Sequence, residues 1–108
     1  MPDPREGVAT ESRPDVREAT PRMWRVLLHN DDFTTQEFVV WVLEVVFQKS
    51  TAEATTIMLH VHHAGLGVAG IYTRDVAESK IAATERLAER HEFPLRVTME
   101  PEHEETPR

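Results

Sequence analysis

Apolar residues repeat at strand and helix periods only between residues 23 and 99, so the part of this chain that can fold is short. Residues 1–22 hold four of the seven prolines and few apolar side chains, too few to offset the entropy cost of ordering the segment. Residues 100–108 carry four Glu and one Arg. We therefore predict one small domain over 23–99, between a disordered N-terminal extension and an acidic C-terminal tail.

Three short apolar runs in this domain predict β-strands. They cover 23–29, 66–72 and 95–99, and residues that favour turns flank them. In the first run the apolar residues alternate, as in a strand that buries one face against a core: Trp24, Val26 and Leu28.

Two helices are predicted between the first two strands, and a third follows the second strand. Gly65 is the expected end of the second helix, and Thr73 caps the third, which runs from about Arg74 to about His91. Capping boxes predict the first two starts, Thr34-x-x-Glu37 and Ser50-x-x-Glu53. The expected inner face of the first helix, whose valines would otherwise favour a strand, comprises Phe38, Trp41, Val42, Val45 and Val46. That of the second comprises Ala54, Ile57, Met58, Val61 and His62.

The resulting order, β-α-α-β-α-β, predicts an α+β fold in which helices pack on one face of a small antiparallel sheet.

The chain has no cysteine, which excludes disulfides and thiolate sites. With 12 Lys and Arg against 19 Asp and Glu, the net charge of −7 disfavours nucleic acid as a partner. No apolar run is long enough to span a membrane and no secretory signal is visible, so a cytoplasmic location is expected.

Asn30-Asp31-Asp32 follows the first strand and permits two interpretations. These residues favour turns because their side chains bond to nearby backbone, so a turn before the helix explains them. They also concentrate acceptors and negative charge, as a site for a metal ion or an ammonium group would.

The histidine-rich segment His60-Val61-His62-His63 suggests a metal site, but its spacing does not favour one, because two ligands on one helix are best placed at i and i+4. Solvated side chains explain His60 and His63. His62 lies on the predicted apolar face beside Met58, so a buried core histidine is its alternative.

Thr34, Gln36 and Val39 on the first helix could form a small apolar hollow with Met58 and Val61 on the second, or could simply pack in the core. No nucleophile motif or glycine-rich phosphate loop is present, and an Asp/His hydrolase has little support.

Several separated motifs, in order, resemble those of the ClpS adaptors over about residues 23–100. They are Trp24 to Thr34 (WRVLLHNDDFT), Glu37-Phe38-Val39, Ala54-Thr55, Met58-Leu59-x-Val61-His62, Gly65, Gly70, Tyr72-Thr73, Val76-Ala77-Glu78-x-Lys80 and Pro94-Leu95.

This resemblance implies an adaptor, not an enzyme, with no cofactor and no metal. ClpS proteins bind the first residue of substrates that carry an N-degron, usually Phe, Tyr, Trp or Leu. They deliver these substrates to a ClpA- or ClpC-type AAA+ unfoldase that works with ClpP. The family fold has the element order predicted above and resembles the C-terminal domain of the ribosomal stalk protein. We expect this protein to be a monomer. A binding module of another kind could share that fold without needing Asn30, Asp31 and His62 together.

The resemblance also implies roles for individual residues. Asn30, Asp31 and His62 would hold the substrate α-amino group, and His62 must be neutral to accept a hydrogen bond from it. The unfoldase N-domain would meet Asp75 and Lys80. The side-chain pocket would comprise Asp32, Thr34, Gln36, Val39, Met58, Val61 and Leu95.

Gln36 departs from the family pattern, in which a Met walls the pocket. An amide at the rim of an apolar pocket predicts a shift in preference toward side chains with a polar ring atom, such as Tyr or Trp.

Overall fold

The computed structural model describes residues 21–103, and within them the fold has the predicted β-α-α-β-α-β order. The predicted extension therefore lies outside the described residues except for Pro21 and Arg22, as does the tail beyond His103. The elements are β1 (Met23–His29), α1 (Gln36–Val45), α2 (Thr51–Ala64), β2 (Leu66–Thr73), α3 (Arg74–Arg90) and β3 (Arg96–Pro101).

The sheet has three antiparallel strands in the order β2-β1-β3, which confirms the predicted fold class. The central strand β1 sends Val26 and Leu28 into the core, where both are fully buried. A register shift between Val26 and Leu27 interrupts the pairing of β1 with β2. The helices contribute Val42 and Leu43 from α1, Met58 and Val61 from α2 and Ala77 from α3, so one core lies between the sheet and the helices.

The start of α1 differs from the prediction by one residue. Thr35, not Thr34, is the N-cap: its backbone is extended, with φ −71° and ψ 151°, and its Oγ1 accepts a hydrogen bond of 3.1 Å from the Phe38 amide. The Thr34-x-x-Glu37 capping box was wrong because the Thr34 hydroxyl donates to Asp31 instead. The turn before the helix thus uses the side chain that the sequence pattern assigned to the helix.

The buried face of α1 is also rotated relative to the predicted one. Val39 and Leu43 are buried beside Phe38, whereas Trp41 and Val45 remain 38% and 46% exposed. The predicted positions recur with the correct period, but period alone does not determine which edge of an apolar stripe faces the sheet.

Helix α2 begins and ends as predicted. Ser50 and Glu53 form both bonds of a capping box, with the Ser50 amide donating to Glu53 Oε1 and the Glu53 amide donating to Ser50 Oγ, each at 3.1 Å. Gly65 ends the helix in the left-handed region at φ 97°, which glycine adopts without the steric cost of a side chain. Because this end is fixed, β2 begins one residue later.

The ends of α3 and β3 complete the domain. Thr73 has the extended backbone of an N-cap but makes no capping side-chain bond, and α3 ends at Arg90. Strand β3 begins at Arg96, one residue after the predicted start, and runs to Pro101, two residues past the predicted domain end. The extra residues pair with β1, and Glu100 forms an ion pair of 2.7 Å with Arg25. No helix among residues 21–103 is long and apolar enough to cross a membrane.

Candidate functional site

The turn between β1 and α1 is organised by the carboxylate of Asp31. Its Oδ1 accepts hydrogen bonds from the amides of Phe33 at 2.8 Å and Thr34 at 2.7 Å, and its Oδ2 accepts one from the Thr34 hydroxyl at 2.7 Å. Burial opposes ionisation of this group, but the three hydrogen bonds from Thr34 and Phe33 outweigh it and lower the pKa of Asp31. A carboxylate oxygen accepts about two hydrogen bonds, so Oδ1 is filled and Oδ2 keeps one acceptor position.

A backbone contact joins this turn to the end of α2. The Asn30 amide donates to the Gly65 carbonyl oxygen at 2.9 Å, and His29 pairs with Leu66 in the sheet. The last turn of α2, which carries His62, is therefore held beside the acidic turn. Sequence reasoning missed this contact, since no pattern in either segment signals it.

Between the turn, α1 and α2 lies a cavity of about 200 Å³. Its apolar wall is nearly inaccessible to solvent, with Val39, Met58 and Val61 exposed by 7%, 8% and 2%. Asp32 and His62 are exposed polar residues of the lining, so the cavity is apolar inside and polar toward solvent. The lining residues are Asn30, Asp31, Asp32, Thr34, Gln36, Val39, Met58, Val61 and His62.

The structure thus brings together nine of the ten residues predicted for the amino-group and side-chain sites. The exception is Leu95, which is 6% exposed, belongs to the hydrophobic core and is not among the residues that line the cavity. Gln36 lines the cavity and is exposed. Its expected effect on substrate preference stays a prediction.

The three histidines of α2 are all exposed, so the interpretation of His62 as a buried core residue was wrong. The rings of His62 and His63 lie edge to face with centroids 5.1 Å apart. Within residues 21–103, no three His, Asp or Glu side chains gather closely enough to hold a metal ion. His62 follows Val61, which is the last buried residue of α2, and it lines the cavity instead of entering the core.

Of the two residues predicted to meet an unfoldase, Asp75 is exposed in the first turn of α3 and Lys80 is partly buried. The Lys80 ammonium donates to the Val46 carbonyl oxygen at 2.7 Å and to Gln48 Oε1 at 2.8 Å. It also lies 5.2 Å from the centroid of the Tyr72 ring. Lys80 therefore caps the C-terminal end of α1, a role that sequence reasoning missed because the partners are over thirty positions away.

The family described as "ATP-dependent Clp protease adaptor protein ClpS" matches residues 19–98, which include β1, β2 and all three helices in full and the first three residues of β3. This chain belongs to the ClpS family. A ClpS of Myxococcus xanthus is 56% identical over 95 residues, covering 88% of this chain and 89% of the relative. A ClpS of Deinococcus radiodurans is 60% identical over 84 residues, covering 78% and 74%. This ClpS protein is accordingly an adaptor of the Clp protease and not an enzyme.

One solved structure contains a ligand that bears on the cavity. The fold resembles that of Agrobacterium tumefaciens ClpS2 bound to L-phenylalaninamide, with a TM-score of 0.74 and 38% sequence identity. The match covers 77% of this ClpS chain and all of the other. The ligand of that relative combines a free α-amino group with one aromatic side chain.

Proposed function

We propose that this ClpS adaptor binds the first residue of N-degron substrates in the cavity between the β1–α1 turn and α2. The observation that carries the proposal is the lining itself: an apolar wall sized for one side chain, with Asn30, Asp31, Asp32 and His62 in the same cavity. The phenylalaninamide bound to the Agrobacterium relative has the matching chemistry. The expected first residues are Phe, Tyr, Trp and Leu.

A substrate α-amino group is a cation with three donors, and the cavity offers several acceptors for it. The Asn30 side-chain oxygen, a neutral His62 ring nitrogen and the remaining position on Asp31 Oδ2 accept its hydrogen bonds. Asp32 adds a negative charge. Each hydrogen bond to a charged group contributes about 1.5–3 kcal/mol.

The side chain of the first residue fills the space bounded by Val39, Met58 and Val61. Burying a Phe or Leu side chain contributes about 1.5–3 kcal/mol, and association costs translational and rotational freedom. An affinity in the micromolar range follows, about −8 kcal/mol. Such an affinity suits an adaptor, because an adaptor must release its substrate.

A pair of peptides tests this proposal: one with a free N-terminal Phe, the other identical but acetylated. Fluorescence anisotropy should show binding of the free peptide only, because acetylation removes the cation. Acidification should weaken binding, since a protonated His62 cannot accept a hydrogen bond. Equal binding of both peptides contradicts the mechanism.

A second histidine near the site needs a control. His29 shares a hydrogen bond of 2.8 Å with Thr98, and strand alternation points it away from the face that carries Leu28. Burial and then Arg96 lower its pKa below the ordinary 6.5, so it stays neutral to more acidic pH than an ordinary histidine. The loss of binding on acidification should persist in His29→Gln, whereas His62→Ala should remove both tight binding and its pH dependence.

Delivery requires a second surface, and we propose that it meets the N-domain of a ClpA- or ClpC-type unfoldase at the start of α3. Asp75 is exposed there. Charge reversal by Asp75→Lys should weaken pull-down of the unfoldase while peptide binding is kept; retained pull-down contradicts the proposal. Lys80→Glu is a poorer test than the sequence suggests, because Lys80 also caps α1. The monomeric state and the cytoplasmic location stay predictions.

A further inference from the structure

A second depression adjoins the cavity, and we call it the Trp41 groove. Its volume is about 280 Å³. Gln36 and Met58 line both the cavity and the groove, so the two spaces share a wall. Two other surface cavities, one beside Trp24 and one beside Ile57, share no lining residue with the binding cavity. The groove is lined by Gln36, Glu37, Val40, Trp41, Glu44 and Met58.

The indole of Trp41 gives the groove an apolar surface with a fixed position. Trp41 is 38% exposed although it lies on a core-facing helix. Its ring packs against Phe38, with centroids 5.8 Å apart, and edge to face against His91 at 5.4 Å. A ring supported by two neighbours loses little freedom when a ligand covers it, which favours binding.

The groove also carries negative charge. Glu37 and Glu44 both line it, and none of its six lining residues is basic. The Glu44 carboxylate accepts a hydrogen bond of 2.6 Å from the Thr51 hydroxyl, which links it to α2. An apolar surface between two carboxylates complements a side chain that has an aliphatic stem and a cationic head, as Lys and Arg do.

We propose that the Trp41 groove receives the side chain at position 2 or 3 of the substrate and prefers Lys or Arg there. This inference rests on the proposed function. The cavity has room for one side chain, so the following residues must lie outside it. An extended chain advances about 3.3 Å per residue and alternates its side chains, which brings one of the next two over the shared wall. The stem packs on Trp41, where the cation also faces the ring, and the head pairs with Glu37 or Glu44.

The test uses peptides with N-terminal Phe that differ only at position 2 or position 3, where each carries Lys, Ala or Glu. At one of the two positions, fluorescence anisotropy should rank affinity as Lys, then Ala, then Glu, with about three- to tenfold between the extremes. In the double variant Glu37→Gln/Glu44→Gln, the Lys, Ala and Glu peptides should bind with similar affinities. Glu85→Gln removes one exposed carboxylate from α3 and serves as the control that keeps the ranking.

A Trp41→Ala variant separates the apolar contribution from the charge. It should reduce the advantage of Lys over Ala while the peptide with Ala keeps its affinity, because the cavity itself is unchanged. The double Gln variant leaves the aromatic packing intact and keeps the test valid if Trp41→Ala is unstable.

The outcomes distinguish the two proposals. If no peptide binds, the proposed function fails, and the groove proposal fails with it. If Phe peptides bind but the residues at positions 2 and 3 have no effect, or the same effect in every variant, only the groove proposal is overturned. A dimer in sedimentation that Trp41→Ala dissociates would identify a second copy of the chain as the occupant and would also overturn it.

Discussion

At the scale of single residues, Asp31 and Asp32 are adjacent in the sequence and differ in what they do. Asp31 accepts three hydrogen bonds from its own turn and keeps one free acceptor position, whereas Asp32 is exposed. Asp31 therefore fixes the turn and offers one hydrogen bond, and Asp32 supplies charge that the turn does not consume. Two neighbouring carboxylates could not be told apart from the sequence, because their roles depend on where the backbone amides of Phe33 and Thr34 point.

We expect Thr34 to link the stability of this turn to peptide binding. Thr34→Val keeps the shape of the side chain but removes the donor to Asp31 Oδ2, so the free energy of unfolding should fall by about 1 kcal/mol. The pKa of Asp31 should rise toward its ordinary value, and affinity for the Phe peptide should fall several-fold. Urea unfolding and anisotropy measure the two effects, and Thr34→Ser, which keeps the hydroxyl, should restore both.

The sign of the pH effect at Asp31 follows from its lowered pKa. The unfolded chain binds a proton there more readily than the folded chain, so the group stabilises the fold above its ordinary pKa of 3.8. That contribution is lost as the pH falls through the folded-state value. In Thr34→Val the acid transition should lose part of this dependence; an unchanged acid transition together with unchanged binding would mean that the hydroxyl has no such role.

At the scale of elements, the site depends on the termini of three of them: the end of β1, the start of α1 and the end of α2. The Asn30–Gly65 hydrogen bond connects the first to the third. The capping box at Ser50 and the left-handed Gly65 were predictable, because each depends on residues close in sequence. The start of α1 was predicted one residue early, since two adjacent threonines both suit an N-cap and only the competing bond to Asp31 distinguishes them.

The opposite end of α1 depends on Lys80 of α3. Lys80→Met should keep much of the side-chain packing and lose the hydrogen bonds to Val46 and Gln48, which lowers the free energy of unfolding by about 1–3 kcal/mol. Urea unfolding measures this loss. The control is Ser79→Ala, because Ser79 is exposed and adjacent to Lys80 in the sequence. A variant as stable as the original would show that the ammonium contributes little to the fold and would restore Lys80 as a simple interface probe.

At the scale of the whole molecule, the proposed binding cavity lies where elements distant in sequence meet. The turn after β1 and the last turn of α2 are about thirty residues apart, yet both line the cavity. A ligand that contacts both should therefore stabilise the folded state as a whole, since the unfolded chain has no such cavity.

A free Phe peptide should raise the midpoint of thermal unfolding. At a concentration about 100 times its dissociation constant, the expected stabilisation is about 2.7 kcal/mol. Hydrogen exchange should slow at the Asn30 and Thr34 amides, which support the turn. The acetylated peptide at the same concentration is the control, and an equal shift with both would indicate binding elsewhere than the proposed cavity.

The sequence by itself determined the element order, the sheet-and-helix class and the family resemblance, and of the ten residues that it predicted for the site, nine line the cavity. It did so because strand and helix periods, capping boxes and motifs are local patterns. Tertiary structure alone decided which face of α1 is buried, that Leu95 lies in the core, and that His62 is an exposed residue of the cavity lining. It also decided that Lys80 caps a helix far away in the chain. These outcomes depend on contacts between distant segments, whose geometry is fixed only when the sheet and helices pack together.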